Sequence, residues 1–277
     1  MDGKVVAVSS FDSMEKELEG IELVTNTDLI GEIWENRPQA VLSEAFILEE
    51  KYTGKSAKEK IEEVRSMLTE KKADSTVIGA LEDVCYLFNV RGRDVRCNPV
   101  VTAYAIVDKT RAIIFISEKQ LTDKVKSYFA SQGIMVMGYE DVFAEASKLT
   151  GKVYLDPSRT NVYLYSQIKA NIEKGLNLTS TLKTIKNEVE LKNFDYAMEK
   201  DGAAMVKILK WVEENAGNGI TEWDVSEQLL KFRAEGKDFF EESFETISGY
   251  GPNGAIIHYA PSPENSAKLE AKSFLLL

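Results

Sequence analysis

The alternation of apolar and polar positions divides the chain into three stretches of different pattern. The stretch 1–55 holds short apolar runs such as KVVAV, followed by polar segments with helical spacing such as FDSMEKELEG. In 56–175, short β-branched and aromatic runs alternate with amphipathic segments, which predicts strands and helices in turn. From Leu176 the segments become long and amphipathic, and no proline occurs until Pro252, which predicts long helices.

The middle stretch has the clearest local signals. Ser56 and Glu59 have the spacing of a capping box, and apolar residues then recur every three or four positions, which predicts a helix to about Lys72. The runs predicted to be strands are STVIGAL, YLFNV, VVTAYAIV, AIIFIS, GIMVMGY and KVYLDPS, and the helices among them are DKVKSYFASQ and YEDVFAEASKL. Because strands and helices alternate, we expect an α/β layer with a mixed sheet.

The last stretch predicts a helix pair laid against a sheet. An apolar stripe runs through KNEVELKNFDYAMEKDGAAMVKILKWVEENAGNG and ends at two glycines. Thr221 and Asp224 then have the spacing of a second cap, before the helical segment TEWDVSEQLLKFRAEG. The segments DFFEESFETISGYGPNGAIIHYAP and KSFLLL are both typical of strands.

Composition narrows the function classes. The 277 residues are 44% hydrophobic, enough for a large core and about two domains. The formal net charge of −11 argues against nucleic acid as a partner, because no basic excess is available to neutralise phosphates. Cys85 and Cys97 lack the spacing of a zinc site, so we expect reduced thiols, buried or half-buried, in a soluble cytoplasmic protein. The start of the chain has no secretory pattern, and no run approaches the length of a membrane span.

Two segments are candidates for chemistry. The first, ISGYGPNGAIIHYAP, holds His258, the single histidine of the chain, and its GPNG residues predict a tight turn before a strand that carries His258. On the residues alone, His258 is either a structural histidine or a functional group. The second, YLFNVRGRDVRCNPVVTAY, is either a charged turn held by Gly92 and Pro99 or a loop that faces a cleft or another subunit.

Long motifs across the chain resemble one enzyme family. The runs KTIKNEVELKNFDYAMEKDGAAM, ITEWDVSEQLLKFR and FETISGYGPNGAIIHYAPSPENSAKLEAKSFLLL resemble the first half of the metallopeptidase domain of Xaa-Pro aminopeptidases, the aminopeptidase P branch of the pita-bread family. GKSAKEKIEEVRSML and ALEDVCYLFNVRGRDVRCNPVVTAYAIV resemble the second domain of its three-domain members.

The resemblance implies an α/β fold in three parts. Residues 1–55 would be the C-terminal part of a first creatinase-like domain, 56–175 a second creatinase-like domain with a mixed sheet, and 176–277 the N-terminal half of a pita-bread α+β domain. It also implies a chain truncated at both ends, naturally or by design. In the family, the strand that SFLLL resembles leads into the first metal-ligating aspartate.

The implied activity is metal-dependent hydrolysis of an N-terminal residue that precedes proline. The resemblance implies two divalent metal ions, with manganese expected, in the parent enzyme. It implies no metal ligand and no activity in this chain alone. His258 would hydrogen-bond the substrate or the transition state without binding metal, and Tyr259 and Asn253 would bind substrate.

The implied partners are proline-containing peptides and a second copy of the chain in a cytoplasmic homodimer, with neither nucleic acid nor membrane. The alternative is a stand-alone, non-catalytic module for dimerisation or peptide binding. The reading frame beyond Leu277 discriminates the two: further ligands favour the enzyme, and a stop codon favours the module.

Overall fold

The structure is a computed structural model that describes residues 1–277. Its contacts divide the chain into two compact units, Met1–Glu190 and Leu191–Leu277. The three-part division predicted from the pattern, with boundaries near 55 and 175, stays a prediction. None of the helices combines the length and the apolar character that crossing a bilayer requires.

The first unit alternates helices and strands along the chain. Its helices are α1 Val8–Glu17, α2 Leu29–Ile33, α3 Glu50–Thr53, α4 Ala57–Glu70, α5 Leu81–Leu87, α6 Asp123–Ser131, α7 Asp141–Ala146, α8 Val162–Gln167 and α9 Leu178–Thr184. Its strands are β1 Phe46–Ile47, β2 Ser75–Ile78, β3 Val90–Arg91, β4 Ala103–Asp108, β5 Ala112–Ile116, β6 Met135–Met137, β7 Lys152–Leu155 and β8 Asn171–Lys174.

Six of these strands form one sheet in the order β6-β5-β4-β2-β7-β8. The central pairs β2–β4 and β4–β5 are antiparallel, whereas β5–β6, β2–β7 and β7–β8 are parallel. The predicted mixed sheet is therefore confirmed. β1 and β3 form a separate antiparallel pair.

The alternation of side chains along the central strands builds a core on each face of the sheet. Ala105 and Ile114 lie in the cluster that receives α4, α5 and α6, whereas their neighbours Ile106 and Ile113 lie in the cluster that receives α7 and α8. Each of these four side chains is at most 1% exposed. The unit thus has helices on both faces of a sheet whose central strands are buried, whereas the edge strands β6 and β8 are partly exposed.

In the first unit, two predicted strands are wrong. YLFNV lies mostly in helix α5 and the turn after it, because Val84, Leu87 and Phe88 have helical spacing and are all buried. KVVAV forms no strand, since Val5 is 76% exposed and the run ends where α1 begins at Val8.

The second unit is built on two helices, α10 (Glu188–Asn215), which starts three residues before the unit boundary, and α11 (Glu222–Ala234). They pack through a small apolar cluster that includes Ile208, Val225 and Leu229. The predicted cap of α11 is confirmed, because Thr221 and Asp224 form a reciprocal capping box. The predicted strands are much shorter than expected: only β9 Gly249–Tyr250 and β10 Leu275–Leu276 form, as an antiparallel pair.

Candidate functional site

The segment around His258 is a loop rather than a strand. After β9 the chain makes a 3-10 turn at Gly251–Ala255, and the amide of Tyr259 then donates to the carbonyl of Ile256 at 3.3 Å. The expected tight turn at GPNG is present, but the strand expected to carry His258 is not. We call residues 250–267 the His258 loop.

His258 has an uncommon backbone conformation. Its φ is +56°, in the left-handed region that is uncommon for residues other than glycine, although asparagine, aspartate and histidine are enriched there, and its side chain is exposed. It is the third residue of the turn Ile256–Tyr259, a position that a type II turn requires to have positive φ. Residues held in such conformations often occur at functional sites, because the surrounding structure must compensate for the strain.

The two ends of the His258 loop meet at one carboxylate. The amide of Tyr250 donates to Oε1 of Glu222 at 2.6 Å, and the amide of Ala267 donates to Oε2 at 2.7 Å. Glu222 is the first residue of α11 and is 0% exposed. A helix N-terminus favours a negative charge, which helps to hold a buried carboxylate at this position.

The side chains of Tyr259 and Asn253 point to the same carboxylate. The Tyr259 hydroxyl donates to Oε2 of Glu222 at 2.6 Å, and Nδ2 of Asn253 lies 3.1 Å from Oε1 and 3.2 Å from Oε2. Nδ2 of Asn253 also donates to the Tyr259 hydroxyl at 3.2 Å. Both residues predicted to bind substrate thus lie in one buried network, and their role towards substrate stays a prediction.

The network shifts the protonation of both acidic groups. Burial alone would raise the pKa of Glu222, but the hydrogen bonds from Tyr259, Tyr250, Ala267 and Asn253 outweigh it and hold this pKa below its ordinary value. Burial and the neighbouring Glu222 carboxylate raise the pKa of Tyr259 to about 12. Tyr259 is therefore a hydrogen-bond donor and Glu222 an anion near neutral pH.

The sequence did not single out Glu222. Its only local signal is its place directly after the cap residue Thr221, where acidic residues are common on exposed helix ends. Its partners follow 28 to 45 positions later in the chain, so spacing alone could not show that the carboxylate is buried or what it binds.

Two glycines let the loop close tightly. A Cβ on Gly249 would lie 2.9 Å from Cα of Gly254, and a Cβ on Gly254 would lie 3.2 Å from the carbonyl oxygen of Gly249. The two backbones therefore pass in direct contact, which a side chain at Gly249 would prevent.

The arginine-rich segment of the first unit is held by Asp94. Its carboxylate accepts from the amide and hydroxyl of Ser43 at 2.8 Å, from the Thr102 amide at 2.7 Å and from Nε2 of Gln120 at 2.9 Å. Burial would raise the pKa of Asp94, but these bonds outweigh it and lower this pKa. The contacts support the interpretation of this segment as a charged turn.

Arg91, at the start of the same segment, borders a cavity. Its Nη1 donates to the main-chain carbonyls of Cys85 at 2.6 Å and Val90 at 3.0 Å. The cavity has a volume of about 290 Å³, and both cationic and acidic side chains line it, among them Lys183 and Glu190. The two cysteines are free thiols, as expected, and burial raises the pKa of Cys85 to about 11.

No group of three or more histidine, cysteine, aspartate or glutamate side chains within 1–277 is arranged to hold a metal ion. The exposed imidazole of His258 and the buried carboxylate of Glu222, which is saturated by protein donors, do not fit a pair of divalent cations. His258 and Glu222 therefore do not form a metal site.

Family comparisons cover nearly the whole chain. Residues 36–190 match the creatinase/prolidase N-terminal domain, and residues 192–277 match metallopeptidase family M24. Among curated proteins, "Probable Xaa-Pro aminopeptidase P" of Sordaria macrospora is 37% identical over 259 residues, which cover 87% of this chain and 42% of that protein. "Xaa-Pro aminopeptidase 1" of Dictyostelium discoideum is 33% identical over 296 residues, which cover 100% of this chain and 47% of that protein. The chain thus spans less than half the length of these relatives.

The backbone is also similar to those of solved structures. The X-prolyl aminopeptidase of Caenorhabditis elegans, described as a cytosolic enzyme with a di-nuclear active site, matches with a TM-score of 0.91 at 28% identity, over 99% of this chain and 47% of that one. The Xaa-Pro dipeptidase of Bacillus anthracis matches with a TM-score of 0.61 at 21% identity, over 79% of this chain and 59% of that one, which shows a shared fold alone.

Proposed function

The chain belongs to the creatinase/prolidase family of metallopeptidases, and on that premise we propose that the protein containing it is a metal-dependent Xaa-Pro aminopeptidase. Such an enzyme hydrolyses the bond between an N-terminal residue and a following proline. The observation that carries the proposal is the similarity of the entire chain, in sequence and in backbone, to proteins of that name.

We assign His258 the role of a hydrogen-bond donor to the substrate or to the oxyanion of the tetrahedral intermediate. Three features support this role: the side chain is exposed, the backbone is held in a rare conformation, and a buried network fixes the loop on both sides. A donor aimed at developing negative charge contributes on the order of 10²-fold or more to a rate. Tyr259 and Asn253 are assigned to substrate binding in the same loop.

The proposed cofactor is a pair of divalent metal ions, with manganese as the metal. The di-nuclear active site of the Caenorhabditis elegans enzyme supports two ions. Because 1–277 contain no cluster of ligands, the proposal places the ligands elsewhere in the protein and His258 outside the ligand set.

The test of this function is hydrolysis by the complete protein that contains these residues. It should cleave a tripeptide with proline in second place and leave a matched tripeptide with alanine there largely intact, and a chelator should abolish the activity. Equal cleavage of both peptides would overturn the Xaa-Pro assignment. Peptide binding without hydrolysis would favour the non-catalytic module instead.

The test of His258 is its replacement by alanine in the complete protein. We expect kcat to fall on the order of 10²-fold while metal content and melting temperature stay unchanged. A normal kcat would return His258 to a structural role. Loss of metal from a well-folded variant would make it a ligand or a support of one.

We also propose a cytoplasmic homodimer that binds neither nucleic acid nor membranes. The acidic balance of the chain, with 45 acidic against 34 basic residues, opposes binding to phosphate backbones, and the Caenorhabditis elegans relative is described as cytosolic. Light scattering coupled to gel filtration should give twice the mass of one chain. A single-chain mass at micromolar concentration would contradict the dimer.

A further inference from the structure

The carboxylate of Glu222 holds the His258 loop closed. Four groups of the loop donate to it: the amides of Tyr250 and Ala267, the amide side chain of Asn253 and the hydroxyl of Tyr259. The distances run from 2.6 Å for Tyr250 and Tyr259 to 3.1 Å for Asn253. Both carboxylate oxygens are thus used, and the side chain is 0% exposed.

The positions of these donors along the loop matter for His258. Tyr250 and Ala267 are the two ends of the loop, and His258 lies near its middle. Tyr259, which follows His258 directly, binds the carboxylate through its side chain and closes the turn with Ile256 through its amide. Glu222 therefore binds both ends of the loop and also Tyr259, the residue that follows His258 in the turn.

Two of the other hydrogen bonds within the loop are short-range. The Ile256 amide donates to Asn253 and the Asn265 amide donates to Ser262, each across three residues. These two bonds shape local turns. The Tyr259 hydroxyl also lies 3.2 Å from the carbonyl oxygen of Asn265 on the second arm, a longer contact than its 2.6 Å bond to Glu222. Glu222 also joins one arm through its own amide, which donates to the carbonyl of Ala267 at 3.1 Å.

We propose that Glu222 is a positioning residue: its buried carboxylate, at the first turn of α11, sets the turn Ile256–Tyr259 and thereby the direction in which His258 is presented. The inference deepens the proposed function, since its catalytic meaning rests on the role of His258. The loop geometry that it describes can be tested without any activity.

The chemistry of the site makes Glu222→Gln the sharpest variant. Glutamine has the same shape, but an amide group replaces one acceptor oxygen and points two N–H donors at groups that are themselves donors. At least one arm of the loop must then lose its partner. Tyr259→Phe is a milder second variant, because it removes one donor and leaves both amide contacts to the arms.

The single histidine provides a direct probe. In the chain of residues 1–277, the imidazole ring gives one set of ¹H–¹³C resonances, all from His258. We expect Glu222→Gln to shift or broaden these resonances and Tyr259→Phe to do so to a smaller extent, with helical circular dichroism retained in both. Glu227→Gln, on the same helix but outside the loop's hydrogen bonds, is the matched control and should leave the resonances in place.

The activity of the complete protein supplies a second readout. If His258 is misdirected, Glu222→Gln should lower kcat by about 10²-fold and change KM much less, because misplacement of a group that acts in the transition state affects mainly the chemical step. Metal content should stay unchanged. The control Glu227→Gln should retain the activity of the wild type.

The outcomes separate the two proposals. Unchanged His258 resonances in well-folded Glu222→Gln and Tyr259→Phe variants would overturn the positioning role, whatever the activity. Shifted resonances in a protein that fails to hydrolyse Xaa-Pro peptides would confirm the loop geometry and overturn the proposed function. Shifted resonances with a normal kcat in an active protein would overturn the link between the loop and catalysis.

Discussion

Individual residues in this protein are held in conformations and environments that cost free energy. His258 has a φ of +56° although it has a Cβ, and Lys60 is 1% exposed although it has an ammonium group. The first cost is steric and the second electrostatic. Each leads to a prediction that does not depend on the proposed activity.

The left-handed backbone of His258 predicts which substitutions the turn accepts. Asparagine is enriched in this region, so His258→Asn should change the free energy of unfolding by less than about 0.5 kcal/mol. Valine, being β-branched, is a genuine outlier there, so His258→Val should lower it more than His258→Asn does, by about 1 kcal/mol. Urea unfolding of the two variants measures the difference. Equal stabilities would show that the turn does not hold positive φ in solution.

The burial of Lys60 predicts that the free energy of unfolding depends on pH in the alkaline range. Its Nζ donates to the Tyr86 carbonyl at 3.0 Å and to Oδ1 of Asn89 at 2.7 Å, and it lies 3.9 Å from the centre of the Tyr86 ring. Burial, and secondarily the charge of Arg91, lower the pKa of Lys60 from 10.5 to about 8.

The direction of this pH dependence follows from the protonation state of Lys60 that the folded protein prefers. Because the folded pKa is below the unfolded one, this contribution to stability is fully present above pH 10.5 and is lost as the pH falls to about 8. We therefore expect the free energy of unfolding of the wild type, relative to that of Lys60→Met, to increase as the pH rises from about 8 to 10.5. The methionine side chain has no group that titrates. Parallel pH dependences of the two proteins, measured by urea unfolding, would show that Lys60 has an ordinary pKa.

At the scale of elements, helix ends were easier to predict than strands. The capping boxes at Ser56 and Thr221 are both present where spacing placed them, because a cap depends on residues three positions apart. YLFNV lies mostly in α5 and the turn after it instead of in a strand, because a short run of mainly apolar residues suits either structure until its neighbours are known.

The N-terminus of α11 predicts an acid limit to the stability of the second unit. The pKa of Glu222 is held below its reference of 4.5, so its stabilising effect is present above that value and is lost as the pH falls through the folded-state pKa. Between about pH 5.5 and pH 3, the wild type should therefore lose more stability than Glu222→Gln. Urea unfolding of both proteins at a series of pH values provides the measurement, and identical losses would contradict the shifted pKa.

At the scale of the whole molecule, the chain comprises two compact units that differ in architecture and in the size of their cores. Met1–Glu190 has a large core on both faces of a mixed sheet, whereas Leu191–Leu277 has a small cluster between two helices and a strand pair of two residues each. Family membership covers both units.

We predict that residues 1–277 alone lack the activity proposed for the complete protein. Incubated with Mn²⁺, they should neither bind a stoichiometric pair of ions nor cleave a proline-containing tripeptide, because the proposed ligands lie outside them. Metal analysis after gel filtration and a peptide assay provide the measurements. Turnover that co-purifies with the chain and survives controls for host peptidases would contradict the prediction.

The sequence by itself determined the class of the fold, the helix caps, the central strands and the family, and it singled out the segment around His258. These features depend on residues close together in the chain: the spacing of a cap, the alternation along β4 and β5, and the motifs themselves. Only the tertiary structure decided that His258 lies in a left-handed turn, that Lys60 is buried, and that Tyr250 and Ala267 meet at Glu222. The physical reason is that burial and hydrogen-bond partners depend on which distant segments meet, and Glu222 finds its partners 28 to 45 residues further along the chain.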